Sequence, residues 1–113
     1  MGEATHVVRF MGGIGNQLFE YALYRTFAEQ GRAVRGDLSF FAQDPLGRAY
    51  QLPLLGIEVA PASPAEIRRL ARPRNFFKKA LRYCLGRKTW FRPKELYFDP
   101  AVLAAKRGYF DGY

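Results

Sequence analysis

Cysteine and histidine are nearly missing from this chain: Cys84 and His6 are the only ones in 113 residues. A lone cysteine excludes an internal disulfide and is consistent with a reducing compartment. On helical spacing Cys84 reads as a small core residue. His6, inside an apolar run, reads as a structural histidine. No apolar run approaches the roughly 18 residues that cross a bilayer as a helix. No signal peptide is expected, because Glu3 and His6 stand where a basic leader would begin and no long apolar stretch follows. Acidic residues are missing from one region entirely. Residues 1–60 hold five Lys/Arg against six Asp/Glu, whereas Arg68 to Lys94 holds eleven Lys/Arg and no acid. With 49% hydrophobic and 16% aromatic residues, the chain is a folded one rather than a disordered one. Its length allows one domain with a modest core.

His6–Met11 is a short apolar run ending in glycine, with Arg9 its one charged interruption, and reads as a buried strand. From Gln17 to Gln30, the residues Phe19, Ala22, Leu23, Thr26 and Phe27 fall on one helical face, and Gly31 supplies the stop. Ala33–Leu38 fits a second strand. Strand, glycine turn, helix and strand open a parallel α/β sheet. Residues 39–61 turn often, at Asp44-Pro45, Gly47, Pro53, Gly56 and Pro61. Ser63-Pro64-Ala65-Glu66 is a capping box for a short helix that stops before Pro73. Asn75 can cap a second helix to about Leu85, with Phe76, Phe77, Ala80, Leu81 and Cys84 inward and Gly86 at its end. Asp99-Pro100 begins another, through Ala105, and Arg107–Asp111 fits a further strand. The expected fold is thus α/β with a Rossmann-like parallel sheet. Residues 1–60 form its βαβ core, and 61–113 a basic helical segment and the start of a further strand.

Glycines between a buried strand and a helix let backbone N–H groups approach an anion at the helix N-terminus. Several readings compete at Gly12-Gly13-Ile14-Gly15. A dinucleotide fingerprint matches at Gly13 and Gly15, with Asp37 near the position of a ribose-binding acid. Leu18, however, occupies its third glycine position. No Lys-Ser/Thr pair follows, so a Walker A loop is excluded. A tight turn without ligand is the plainest alternative. Asn16, taken alone, reads as a helix N-cap.

The residues after the glycines narrow the choice. Gly12-Gly13-Ile14-Gly15-Asn16-Gln17-Leu18-Phe19-Glu20-Tyr21-Ala22 resembles the G-G-L-G-N-Q-M/L-F-Q-Y-A signature of the family 11 glycosyltransferases, the galactoside α-1,2-fucosyltransferases. Ile14 for Leu and Glu20 for Gln are the departures. Gly36-Asp37-Leu38-Ser39, Tyr50-Gln51-Leu52 with Ile57, Phe98-Asp99-Pro100, and Tyr109-Phe110-Asp111-Gly112-Tyr113 resemble further elements of that family in the same order.

The resemblance implies an inverting transfer of L-fucose from GDP-fucose to the 2-hydroxyl of a terminal galactose. It implies the N-terminal domain of a two-domain GT-B scaffold, with GDP-fucose and a galactoside as substrates and no metal or other cofactor. Gly12, Gly13, Gly15, Asn16 and Gln17 are the donor-binding positions it carries over. Asp37 and Asp111, at the ends of expected strands, are weaker candidates for a catalytic base, and either also suits a helix or turn cap. The family's second signature, an H-x-R-R-G-D-type loop bearing the key arginine, is not in these residues, so the chain by itself is expected to be a fragment that does not transfer fucose.

The basic stretch interleaves Phe76, Phe77, Tyr83, Trp90 and Phe91 with its cations. A solvated helical face is the plain reading. The functional one is attraction to an anionic membrane surface through Arg68, Arg69, Arg72, Lys78, Lys79, Arg82 and Lys88, in a cytoplasmic protein peripheral to the inner face of the membrane. Nucleic acid is a less favoured partner. Alternatives to the transferase are a non-enzymatic basic module of this kind and a dinucleotide-binding oxidoreductase fragment.

Overall fold

The structure is a computed structural model that describes residues 4–42, 49–71, 80–81, 84, 89–91 and 101–111. Four short strands form one parallel sheet: β1 (His6–Arg9), β2 (Val34–Asp37), β3 (Trp90–Phe91) and β4 (Gly108–Phe110). Their order across the sheet is β2-β1-β4-β3. His6 pairs with Val34 on one side and with Gly108 on the other, and Trp90 pairs with Tyr109. The expected α/β class with a parallel, Rossmann-like sheet is therefore present.

Helix α1 (Ile14–Glu29) joins β1 to β2. Gly31 ends it as expected: at φ +78° its amide donates to the Ala28 carbonyl (3.0 Å), and Arg32 N–H reaches back to Phe27 (3.0 Å). Helix α2 (Pro64–Leu70) opens on the expected capping box, in which Ser63 Oγ accepts from Glu66 N–H (3.1 Å) and Glu66 Oε1 accepts from Ser63 N–H (2.9 Å). The other carboxylate oxygen of Glu66 accepts from Ala4 N–H (2.8 Å), and Arg69 donates to the Ala4 carbonyl. Both ends of α2 are thus fastened to the residue that leads into β1. Helix α3 (Ala101–Ala104) precedes β4.

The core lies mainly between the sheet and α1. Val8, Phe10, Phe27, Val34, Leu52, Val102 and Phe110 form one buried cluster. Phe110 stacks at 4.8 Å from Phe91 and lies 4.7 Å from Phe27. A smaller cluster of Val7, Leu70 and Tyr109 lies on the other face, beneath α2. His6 is a structural histidine, as expected. It is fully buried against Phe27 and Phe110, its Nε2 lies 2.9 Å from the Ala105 carbonyl, and burial lowers its pKa.

Three expectations fail, the first only in part. The inward face of α1 is only in part the one the apolar spacing marks: Phe27 is buried and Leu23 packs against the core, but Phe19 is 77% exposed and Ala22 is exposed, and Gln17 and Glu20 are buried instead. The reason is local. The chain leaving β1 presents unpaired backbone groups, and only polar side chains in the first turns of α1 can satisfy them. Cys84 is exposed, not a core residue, and Leu81 is 49% exposed, although both are helical. Asn16 is not the N-cap of α1, because Gly13 holds that position. Asn75, Phe76, Phe77, Leu85 and Gly86 lie outside the described residues, as do Asp44-Pro45, Gly47 and Phe98-Asp99-Pro100.

Candidate functional site

In an open parallel sheet, ligands bind outside the carboxyl ends of the strands, where neighbouring strands send their connections in opposite directions. Here β1 leads through α1 to β2 on one side, and β4 lies against its other side. The crevice at the ends of β1 and β4 is that place. Two features meet there, the glycine turn and a group of charged side chains.

Gly12 needs its lack of a side chain, because its φ is +78° and a Cβ would come 2.5 Å from Asn16 Nδ2. Gly13 and Gly15 need theirs for no internal reason, since a Cβ at either would meet nothing within 4 Å. Gly13 caps α1 without a side-chain bond to the first-turn amides, and Gly15 and Asn16 are exposed beside them. A helix start of this form can accept an anion. Gln17 is placed differently. It is fully buried, its amide donates to the carbonyls of Gly12 and Ala49 (3.0 Å each), and its Oε1 accepts from Gln51 N–H (2.9 Å). It fastens the turn to the 49–51 segment rather than facing the crevice.

The charged group comes from three strands and a helix. Arg9 Nη1 lies 3.2 Å from Asp111 Oδ1 and 3.3 Å from Oδ2, with the two side chains 29% and 22% exposed. Its guanidinium also sits 5.6 Å from the centre of the Phe40 ring. Asp37, at the end of β2, is buried. Tyr109 Oη donates to its Oδ2 (2.6 Å) and Ser39 N–H to its Oδ1 (3.0 Å). Burial, then this bond and the Asp37 charge, push the Tyr109 phenol far up, so it serves as a donor. Glu20, on α1, is buried, and both of its oxygens take the Met11 N–H (3.1 and 3.2 Å). Burial pushes its carboxyl up to about 8, against the pull of that N–H and of Arg9.

Of the two candidate carboxylates, Asp37 is thus enclosed by its partners and Asp111 borders the crevice in an ion pair. The Asp37 geometry also bears on the dinucleotide reading: an acid holding Tyr109 and Ser39 is not presented to a ribose. Leu18 is the weaker objection, for it is 42% exposed and does not press on the sheet. Arg9, Phe40, Tyr109 and Glu20 were not selected as site residues from the sequence. Arg9 was the one that carried a signal, as a charge interrupting a buried strand.

The basic surface is described only in part. Arg68 is exposed, whereas Arg69 is half-buried and bonded to Ala4. Arg72, Lys78, Lys79, Arg82 and Lys88 lie outside the described residues. Among the described residues no helix is long and apolar enough to cross a membrane, and no three His, Cys, Asp or Glu side chains gather as metal ligands would. Compared with known proteins, the chain matches no family model, no curated protein and no solved structure.

Proposed function

We propose that this chain is the N-terminal, sheet-bearing domain of a GT-B glycosyltransferase, a galactoside α-1,2-fucosyltransferase using GDP-fucose. The observation that carries the reading is where the signature residues fall. Gly12 to Ala22 span the junction of β1 and α1 at the carboxyl edge of the sheet, and Gly13 and Gly15 leave open space there. A sugar nucleotide needs such an opening, because its diphosphate is held by backbone donors at a helix start. In the transfer, the galactose 2-hydroxyl oxygen bonds to the fucose anomeric carbon on the face opposite the nucleotide. The bond from that carbon to the β-phosphate oxygen breaks, GDP leaves with the electron pair, and the hydroxyl proton passes to a base. No metal is assigned a role. The arginine-bearing loop that would stabilise the leaving phosphate is not among these 113 residues, so transfer is expected to require that loop from elsewhere.

The test is a titration of the isotope-labelled chain with GDP-fucose, followed by amide NMR shifts. Shifts concentrated on Gly12 to Asn16 are expected, with saturation in the millimolar range at best for one wall of a site. An unmoved glycine turn at saturating nucleotide sugar sinks the proposal.

A further inference from the structure

Two fully described segments stand apart from the rest of the chain in charge. A quarter of all residues are charged, yet residues 14–22 and 49–57 together hold one charged side chain, Glu20, and it is buried. The two segments are neighbours. Gln17 bonds to Ala49 and Gln51, and the Tyr24 hydroxyl accepts from Ala60 N–H (3.0 Å), so residues 49–60 run alongside α1 from Gln17 to Tyr24. Each segment buries one side and leaves the other bare. On α1, Ile14, Leu18, Phe19 and Ala22 are exposed and lie three or four residues apart on one face. On the 3-10 helix Leu52–Leu55, Leu52 enters the core while Leu54, 82% exposed, and Leu55 remain outside. Single exposed apolar residues are ordinary, but a group of large ones on adjoining elements marks a surface that is covered in use.

Charge and shape narrow what covers it. Each copy of the chain carries a net charge of +8, so two copies repel unless they meet where neither presents cations. This face meets that condition. A lipid surface is held instead by apolar side chains flanked with free cations, whereas the sole basic residue of α1, Arg25, pairs with Glu29 (3.1 Å). The face is also complementary to itself. Phe19 protrudes three residues ahead of the small Ala22, so two α1 helices packed antiparallel about a two-fold axis set each Phe19 over the Ala22 of the other copy. At their observed exposures, Ile14, Leu18, Phe19, Leu54 and Leu55 offer roughly 500 Å² per copy and about 1,000 Å² for a pair, the lower bound for a specific interface.

We propose that the uncharged face made by the first turns of α1 and the 3-10 helix Leu52–Leu55 is a homodimer interface, on which a second copy of this chain packs its own α1. The pairing does not depend on the transferase reading.

The full chain is followed by sedimentation equilibrium over a range of concentrations. The mass is expected to rise toward that of two chains, with half-association on the order of 100 µM, as suits so small an interface. Added sodium chloride is expected to strengthen the association, because it screens the repulsion between two basic copies while the contact itself is apolar. Phe19→Asp brings two like charges together at the axis and is expected to weaken the dimer at least tenfold. Leu54→Asp, on the other segment, is expected to weaken it about threefold or more, and decides the matter should the first variant lower stability in urea. A chain still monomeric at about 1 mM overturns the inference. So does a dimer that salt dissolves, or one that both substitutions leave intact, or a monomer that uses Phe19 to bind neutral phosphatidylcholine vesicles instead.

Discussion

The two faces of the sheet are built on different physical principles. Toward α1, the strands present His6, Val8, Phe10 and Phe110, and aromatic packing fills the space with Phe27 and Phe91. Toward α2, they present Val7 and Tyr109, and beyond these, at the carboxyl end, Arg9, Asp37 and Asp111. One face draws its stability from area removed from water. On the other, a thin apolar cluster gives way to a network of hydrogen bonds and charge. The lesson is a division of labour across one strand: alternate residues of β1 face the core on one side and end at the candidate site on the other.

The largest expected effect tests that asymmetry. Phe110→Ala removes the ring at the centre of the aromatic cluster and should cost about 3–5 kcal/mol, a large part of a small domain's stability. Leu70→Ala, in the thin cluster, should lie near the low end for its type, about 2 kcal/mol. Urea denaturation checks both, and equal losses would break the comparison. Next comes the polar network. Tyr109→Phe deletes one of the two donors to the buried Asp37 carboxylate and should cost about 1–3 kcal/mol by the same measurement. A neutral result would mean that the network contributes nothing net.

At the junction of the two faces, Gly12→Ala meets a positive φ and the Asn16 amide, and should lower stability by about 1–2 kcal/mol. Gly13→Ala should change the melting temperature little, because its φ is −79° and a Cβ there has room. If the two substitutions behave alike, the turn is not shaped as described.

The subtlest signal is a slope. Glu20 ionises near 4.5 when unfolded and near 8 when folded, so the folded chain holds the proton between these values. Its contribution is present at low pH and is lost as pH rises through that window. The loss approaches at most about 1.4 kcal/mol per pH unit. His6 acts in the other sense: buried and with a lowered pKa, it destabilises the fold as pH falls below about 6.5. Glu66, whose pKa is lowered, contributes above 4.5 and is lost below it. Between about 6.5 and 8, Glu20 is therefore the group that should make stability fall with pH. Glu20→Gln should flatten denaturation free energy across that range; an unchanged slope refutes the assignment.

Much of the fold was legible because its signals are local. The Ser63-Pro64-Ala65-Glu66 cap, the Gly31 stop and the strand of His6 to Arg9 each depend on a few adjacent residues whose backbone demands are well defined. The α1 face was misread in its first turns, at Phe19 and Ala22 though not at Leu23 and Phe27, because periodicity weighs only apolarity. Gln17 and Glu20 are buried not for being apolar but because Gly12, Ala49, Gln51 and Met11 expose backbone groups that need partners. Met11 and Gly12 belong to the turn just before the helix, whereas Ala49 and Gln51 come from a distant segment that no window along the helix contains. Cys84 was misread for a related reason, since helical spacing marks a face without saying what covers it.

The candidate site divides in the same way. By itself, the sequence determined that a glycine turn joins β1 to α1 and that a charged residue interrupts the first strand, because turn geometry and strand alternation act within a few residues. Only the tertiary structure decided that Arg9 meets Asp111, that Tyr109 reaches Asp37 across β1, and that Gln17 turns away from the crevice. Residues 9 and 111 become neighbours only when β4 takes its place beside β1, and that choice belongs to sheet order, which no local stretch of chain encodes.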